Sequence, residues 1–377
     1  MKLAIVNITS GGMSGGYKTY LEAILPRLAG YPGMSLLVAL PQTVAVSSWQ
    51  KKFPKIIWVL FEPKPYRLEG LDSKSKKAIA AFAPDIVFIP TARFCKIAQV
   101  PTVTMVRNTE PLIIHDNPFL TKIINWFRAQ EAHRASQQAD RVIAVSQFVK
   151  QLMVKRWKIA GDKIGLVYHG VESPEKDIVK PAVLPDVWQN NFFFTAGSIR
   201  PARGLEDVIS AWRELSKNTR NSYNLLIAGD VNHQMRGYYS KLQQLVRNAG
   251  LEKNIIFAGS LKRNEMSWCY CHCRLFLMTT RAEACPNIAL EAMMHGCLTV
   301  AADNPPLPEF FLDSAFFYPP AQPQIFAKQI EKILNLPPEE KAKLKTKALA
   351  RAAQFSWDQC AVATMQELKT VFLSQLS

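Results

Sequence analysis

No run of about 18 consecutive apolar residues occurs anywhere in the 377-residue chain, so no membrane-spanning helix is expected. The opening Met1-Lys-Leu-Ala-Ile-Val-Asn-Ile8 is too short for a signal-peptide core and leads into glycines, which fits a first β-strand. The seven cysteines are odd in number and lack framework spacing, which argues against a disulfide scaffold and for a reducing cytoplasm. Structural zinc sites want C-x2–4-C pairs with partners farther off. The run Trp268-Cys269-Tyr-Cys271-His272-Cys273 is cysteine-rich, but positions two apart on a helix point in different directions and cannot converge on a metal. The glycine cluster Gly11-Gly-Met-Ser-Gly15-Gly16 lacks the G-x-G-x-x-G spacing and the later acid of a dinucleotide fingerprint. Acidic residues are scarce, 30 against 46 Lys plus Arg. The deficit is uneven: residues 1–170 carry 23 basic and 10 acidic side chains, and residues 171–377 carry 23 and 20. A first half so basic suits an anionic membrane surface, an acidic acceptor or nucleic acid. No aromatic-and-basic stacking pattern accompanies the lysines, which weighs against nucleic acid.

What the chain has is alternation. Strand-like apolar runs near 2–8, 35–40, 56–60, 85–89, 102–106, 141–145 and 164–168 alternate with helix-like segments. A second series follows near 192–197, 224–229, 255–259, 274–279, 298–302 and 315–318. This is the pattern of parallel sheets covered on both faces, used twice. Val171 to Pro185, with three prolines and several charges, reads as a linker. Polar and glycine clusters fall just after the strands, at Gly11–Gly16, Arg107-Asn108, Ser146, Gly197–Gly204, Gly229-Asp230, Gly259–Leu261 and Glu283. In open α/β sheets ligands bind beyond the strands' carboxyl ends.

One stretch organises the rest. Arg281-Ala-Glu283-Ala-Cys-Pro286-Asn-Ile-Ala-Leu-Glu291-Ala-Met-Met-His295-Gly296 follows the apolar run Arg274–Thr279. Pro286 suits the first turn of a helix and Gly296 its stop. The helix N-terminus would offer free N–H groups to an anion. Glu283 in the loop and Glu291 on the helix suit a ligand that also carries hydroxyls, because carboxylates accept their hydrogen bonds. This Glu-x7-Glu, followed by Ala-Met and by Gly296 before the β-run Leu298–Ala302, resembles the donor-site signature of retaining glycosyltransferase family 4. The resemblance extends over nearly the whole chain.

The resemblance implies a GT-B fold: two Rossmann-like doubly wound α/β domains with an interdomain cleft and a C-terminal helix crossing back. The expected boundaries are 1–172 for an acceptor-side domain, 186–355 for a nucleotide-sugar-binding domain, and 356–377 for the returning helix. Glu291 would hold ribose hydroxyls and Glu283 the donor-sugar hydroxyls. The backbone of Ala284, Cys285, Pro286, Asn287 and Ile288 would meet sugar and phosphate. In Gly197-Ser198-Ile-Arg200-Pro-Ala-Arg203-Gly204, Ser198 stands where the family has an arginine and Arg203 where it has a lysine; Arg200 supplies a further cation. Such cations stabilise the charge that grows on the departing diphosphate, and arginine binds phosphate through a planar fork. Leu261 would meet the base through its backbone. Gly15 and Gly16 would face the donor phosphates from across the cleft. Arg107 and Asn108 occupy the positions of a family histidine and aspartate, and are candidates for acceptor or donor-sugar contacts; His115 reads as a loop histidine. Asp140–Lys150 and Lys163–Val171 match further family segments, with His169 as a hinge-region residue.

The implied enzyme is a cytoplasmic glycosyltransferase, a hexosyltransferase. It would move a sugar from a UDP- or GDP-linked donor to an acceptor hydroxyl on a sugar, lipid-linked or polysaccharide acceptor. The anomeric configuration would be retained, and the departing phosphate oxygen would take the acceptor's proton. The expected setting is cell-surface polysaccharide or glycolipid synthesis. No cofactor or metal is expected, since arginines and a helix dipole supply the positive charge. A GT-B sugar-nucleotide epimerase is the alternative. The basic stretch Phe119-Leu-Thr-Lys-Ile-Ile-Asn-Trp-Phe-Arg128 could lie on an anionic bilayer. Burying Phe119, Ile123, Trp126 and Phe127 in the core, with a wet basic face, is the preferred reading of it.

Overall fold

A computed structural model describes residues 1–9, 15–42, 47–62, 71–113, 119–188 and 190–374. The chain divides into two compact units, Met1–Gly170 with Ser356–Ser377, and Val171–Phe355.

Among the described residues the first unit is built on seven strands: β1 (Lys2–Val6), β2 (Ser35–Pro41), β3 (Ile57–Phe61), β4 (Ile86–Ile89), β5 (Thr102–Val106), β6 (Arg141–Ala144) and β7 (Ile164–Leu166). They pair in parallel throughout, in the order β3-β2-β1-β4-β5-β6-β7. β1, β4 and β5 are almost entirely buried, as continuous apolar runs in a doubly covered sheet require. The helix Gly15–Ala29 buries Leu21, Ile24, Leu25 and Leu28, the stripe expected from their spacing.

The last helix, Trp357–Leu373, also packs on this sheet, against the helix Gly15–Ala29 and strands β4 and β6. Its start is a capping box: Ser356 accepts from the Gln359 N–H, and the Gln359 side chain accepts from the Ser356 N–H. A Cβ at Gly170 would overlap the backbone of Trp357, so the chain can pass there only with glycine. The Arg141–Glu367 ion pair ties the helix to β6.

The second unit has six strands, β8 (Phe192–Ala196), β9 (Asn224–Ala228), β10 (Ile255–Gly259), β11 (Leu275–Met278), β12 (Thr299–Ala302) and β13 (Ala315–Tyr318). All are parallel, in the order β10-β9-β8-β11-β12-β13. Both sheets thus have the doubly wound order, reversing between the first and fourth strands of each unit. The two Rossmann-like units are those of the GT-B class.

The stretch from Val171 to Pro185, expected to be a linker, has no helix or strand and begins where Met1–Gly170 ends, and it also makes contacts within the second unit. Glu175 pairs with Arg263, the Val179 N–H donates to the Asn264 carbonyl at 3.3 Å, and Leu184 is buried. Proline content marked an irregular path and carried no information about docking.

A buried acid locks the site-bearing end of the second sheet. Asp207, on the helix Leu205–Glu214, accepts from Arg281 Nη2 (2.9 Å), the Tyr318 hydroxyl (3.1 Å) and the Ala321 N–H (3.0 Å). Removing it would strand three donors, one of them a cation. Asp207→Ala is therefore expected to lower unfolding stability by about 3 kcal/mol in urea titrations. A loss under about 1 kcal/mol would show that water replaces the carboxylate.

Candidate functional site

In the second unit the strand order reverses between β8 and β11, and the loops after those two strands carry the residues singled out in the sequence. After β8, the chain runs through Gly197 to a short turn, Pro201–Arg203, and into the helix Leu205–Glu214. Gly204, at φ +60°, caps that helix, and a Cβ there would overlap the Thr279 carbonyl oxygen of the neighbouring loop. The two loops are cross-linked: the Arg281 N–H donates to the Ala202 carbonyl at 2.9 Å, and the Thr279 hydroxyl to the Arg203 carbonyl at 2.7 Å.

Across this seam lie Arg203 and Glu283, which form an ion pair between side chains that are each 13% exposed. Arg203 Nη1 also donates to the Thr280 hydroxyl at 3.2 Å, while its buried Nε–H has no hydrogen-bond partner. A desolvated cation with a donor to spare, held by an acid, is suited to meeting an anion. The sequence named Arg203 and Glu283 separately. Their pairing, 80 residues apart, was not visible in it.

Beyond Glu283 comes the helix Asn287–Met294. Pro286 is its N-cap and supplies no side-chain hydrogen bond, while the Asn287 N–H donates to the Cys285 carbonyl at 3.1 Å. Ala284 and Pro286 are buried, while Cys285, Asn287 and Ile288 are partly exposed. Gly296, at φ +65°, ends the helix as expected.

Glu291 is held from one side. The Tyr270 hydroxyl donates to its Oε2 at 3.0 Å, which leaves Oε1 for other donors. Burial raises the Glu291 carboxyl above its ordinary value, opposed by the Tyr270 hydrogen bond and by the charge of Arg263. Tyr270 is itself buried among Phe194, Phe276 and His295. His295 Nδ1 meets the Glu291 carbonyl at 2.7 Å and Nε2 meets the Ser267 hydroxyl at 3.0 Å; burial lowers its pKa. Sequence reasoning missed Tyr270. It lies inside the cysteine-rich run weighed for metal, and only the fold brings it to Glu291. Of that run, Cys269 is buried and Cys271 exposed, as opposite sides of a helix require. Among the described residues, no group of three His, Cys, Asp or Glu side chains is placed to hold a metal ion.

The remaining candidates of this unit lie along the same edge. The ladder continues past the strands, with the Gly197 N–H donating to the Ala228 carbonyl and the Gly229 N–H to the Gly259 carbonyl, at 2.9 and 2.7 Å. Ser198 is exposed and Arg200 partly buried beside it. Leu261 is partly buried just past β10, on the outermost strand of this sheet, and so is not brought to the Arg203–Glu283 pair.

In the first unit, Gly15 and Gly16 are exposed at the start of their helix; Gly11–Ser14 lie outside the described residues, as does His115. Arg107 follows β5 with its guanidinium carbon 4.0 Å from the Tyr17 ring centroid, a cation–π contact. Asn108 is exposed and its side-chain oxygen accepts from the Glu110 N–H at 3.0 Å. Ser146 accepts from the Val149 N–H at 3.2 Å and caps a helix. His169 is buried against the rings of Tyr20 and Trp357.

Comparison with known proteins follows this geometry. The family model described as Glycosyltransferase Family 4 matches residues 39–173, and that described as Glycosyl transferases group 1 matches residues 181–351. The serotype-specific mannosyltransferase WbdA of Escherichia coli is 26% identical over 305 residues, covering 74% of this chain and 36% of that protein. The chain thus spans about a third of the length of the curated relatives it matches first. A lipopolysaccharide 1,2-N-acetylglucosaminetransferase of Salmonella typhimurium is 22% identical, with 84% and 80% of the two chains covered. Among solved structures, Anabaena HepE in complex with UDP aligns at a TM-score of 0.75 and 20% identity, over 98% of this chain and 100% of that one. Sucrose-phosphate synthase from Thermosynechococcus elongatus aligns at 0.75 and 16%, over 99% of each. With two family models meeting near the unit boundary and together spanning most of the sequence, the chain belongs to glycosyltransferase family 4.

Proposed function

We propose that the chain transfers a sugar from a nucleotide diphosphate donor, UDP- or GDP-linked, to an acceptor hydroxyl, with retention at the anomeric carbon. The observation that carries this reading is the Arg203–Glu283 pair beside a helix N-terminus without a capping side chain. On binding, the diphosphate takes the place of Glu283 as counter-ion of Arg203, with Arg200 beside it. Glu283 is then released to accept from the donor sugar's hydroxyls. The backbone from Ala284 to Ile288 meets sugar and phosphate, Glu291 accepts from the ribose hydroxyls through Oε1, and Ser198 and Leu261 contact the nucleotide. As the sugar–phosphate bond breaks, charge grows on the phosphate oxygen, where the Arg203 cation and helix dipole stabilise it most. That oxygen takes the acceptor's proton. Gly15 and Gly16 are assigned to the donor, and Arg107 and Asn108 to acceptor or sugar contacts.

The reading requires no metal, because the developing charge meets fixed cations. The names of the relatives support polysaccharide or lipopolysaccharide synthesis as the setting, with a sugar, lipid-linked or polysaccharide acceptor. Those relatives are transferases, which weighs against the epimerase alternative. A cytoplasmic location with peripheral contact to an anionic membrane belongs to the same proposal.

A panel of nucleotide sugars screened by thermal shift tests donor binding, since a bound donor raises apparent stability by mass action; no stabilisation by any UDP- or GDP-sugar counts against it. Glu283→Gln is expected to lower kcat by about tenfold to a hundredfold, the worth of a charged hydrogen bond, in a protein that still folds but melts at a lower temperature because Arg203 loses its counter-ion; wild-type turnover of the folded variant would remove Glu283 from the reaction. For Glu291→Gln, donor affinity should fall while stability at neutral pH rises relative to wild type. The sign follows from the raised carboxyl. The folded chain keeps the proton above the ordinary value of 4.5, so wild-type stability declines as pH rises from there through the folded value, and the Gln variant lacks that decline. Parallel stability–pH curves for the two proteins would refute the assignment of burial as the cause.

A further inference from the structure

The helix Phe119–Gln138 is oriented opposite to the preferred sequence reading. Asn125 is buried, at 6% exposure, whereas Trp126 and Phe127 are 57% and 62% exposed and Ile123 and Ile124 are 39% and 49% exposed. Core burial is therefore not the role of these side chains.

At about 100° per residue, Trp126, Ile123, Phe127 and Ile124 form one arc roughly 160° wide, with Lys122 at one margin and Arg128 at the other. Both cations are exposed. Asn125 lies near the centre of the opposite side, turned inward. The far end of the helix anchors it: Ala135 and Ser136 are buried, His133 stacks on Trp157, and Glu131 pairs with Arg93 at 2.8 Å. Ordinary surface helices turn their apolar stripe to the core. Here residues 122–128 turn it to solvent, with the rings of Trp126 and Phe127 in contact, centroids 5.0 Å apart; the side chain of Phe119 lies outside the described residues.

We propose that this face, Ile123, Ile124, Trp126 and Phe127 between Lys122 and Arg128, docks on an anionic lipid bilayer, lying in its interface without crossing it. Trp and Phe enter the acyl–headgroup boundary while the flanking cations meet lipid phosphates. Charge complementarity selects this occupant. Residues 1–170 carry 13 more basic than acidic side chains, so an anionic plane is attracted over a wide area. A second copy of the chain would bring the same cationic margins against themselves, an arrangement that like-charge repulsion disfavours. Among the described residues no helix is long and apolar enough to span a membrane, so the contact is made at the surface.

This inference locates the membrane contact named with the proposed function, and its test needs neither donor nor acceptor, so either can fail alone. The full chain is sedimented with vesicles of phosphatidylcholine alone or mixed with phosphatidylglycerol. Expected is partition onto the mixed vesicles that weakens with salt. The double variant Trp126→Gln/Phe127→Gln should lose about tenfold or more of that partition, because two large apolar groups no longer leave water. Lys122→Glu/Arg128→Glu should lose most of the preference for phosphatidylglycerol. Both variants should keep the wild-type melting temperature, the side chains being exposed. Absence of wild-type binding to the mixed vesicles, or unchanged partition by the first variant, would overturn the proposal. So would a wild-type dimer that the first variant dissolves without altering vesicle partition, which would make the face a contact between copies.

Discussion

Parallel strands deliver every following loop to the same edge of a sheet, and that constraint governs where chemistry can gather in this chain. In a doubly wound order the connections leave β8 and β11 in opposite directions, so the space between their carboxyl ends is not roofed by a crossover helix. Arg203 comes from one of these loops and Glu283 from the other. Gly204 lets the two backbones close to a distance that any side chain would forbid. The Arg203–Glu283 pair thus depends on sheet topology first and on a missing Cβ second.

Once the loops are fixed, electrostatics sets what they can bind. Arg203 and Glu283 share a poorly hydrated seam, where each charge depends on the other for compensation. In the proposed function an arriving anion competes with Glu283 for the guanidinium, and the displaced carboxylate would need new donors, which hydroxyls could supply. One ligand carrying both groups would satisfy both partners together. Tyr270 plays a related part for Glu291, fixing one carboxylate oxygen so that the other has a defined direction. Asp207 supports the first arrangement by holding Arg281, two residues before Glu283.

The helix Phe119–Gln138 follows a different logic. Its packed end and its exposed end are the same continuous helix, so the backbone gains nothing locally from turning aromatic rings outward. Exposed apolar area of this kind costs free energy unless something covers it. The same half of the chain carries nearly all the excess positive charge, and the two features are complementary to a single anionic, partly apolar surface.

Periodicity and punctuation alone determined the thirteen strands, the doubled architecture, and the strand–loop–helix around Glu283 and Glu291, because these depend on neighbours within a few turns of chain. Leu205, Val208, Ile209 and Trp212, a helical stripe in the sequence, are all buried. Tertiary structure alone decided which distant residues meet. The Arg203–Glu283 pair, the Tyr270–Glu291 hydrogen bond and the Asp207 cluster join residues 21 to 114 positions apart, and no local pattern encodes such a pairing. Nor could composition say that the segment from Val171 to Pro185 would dock, or that Asn125 and not Trp126 would face inward. A helix with apolar residues on one side and a polar one on the other has two possible orientations, and only the surface it packs against selects between them.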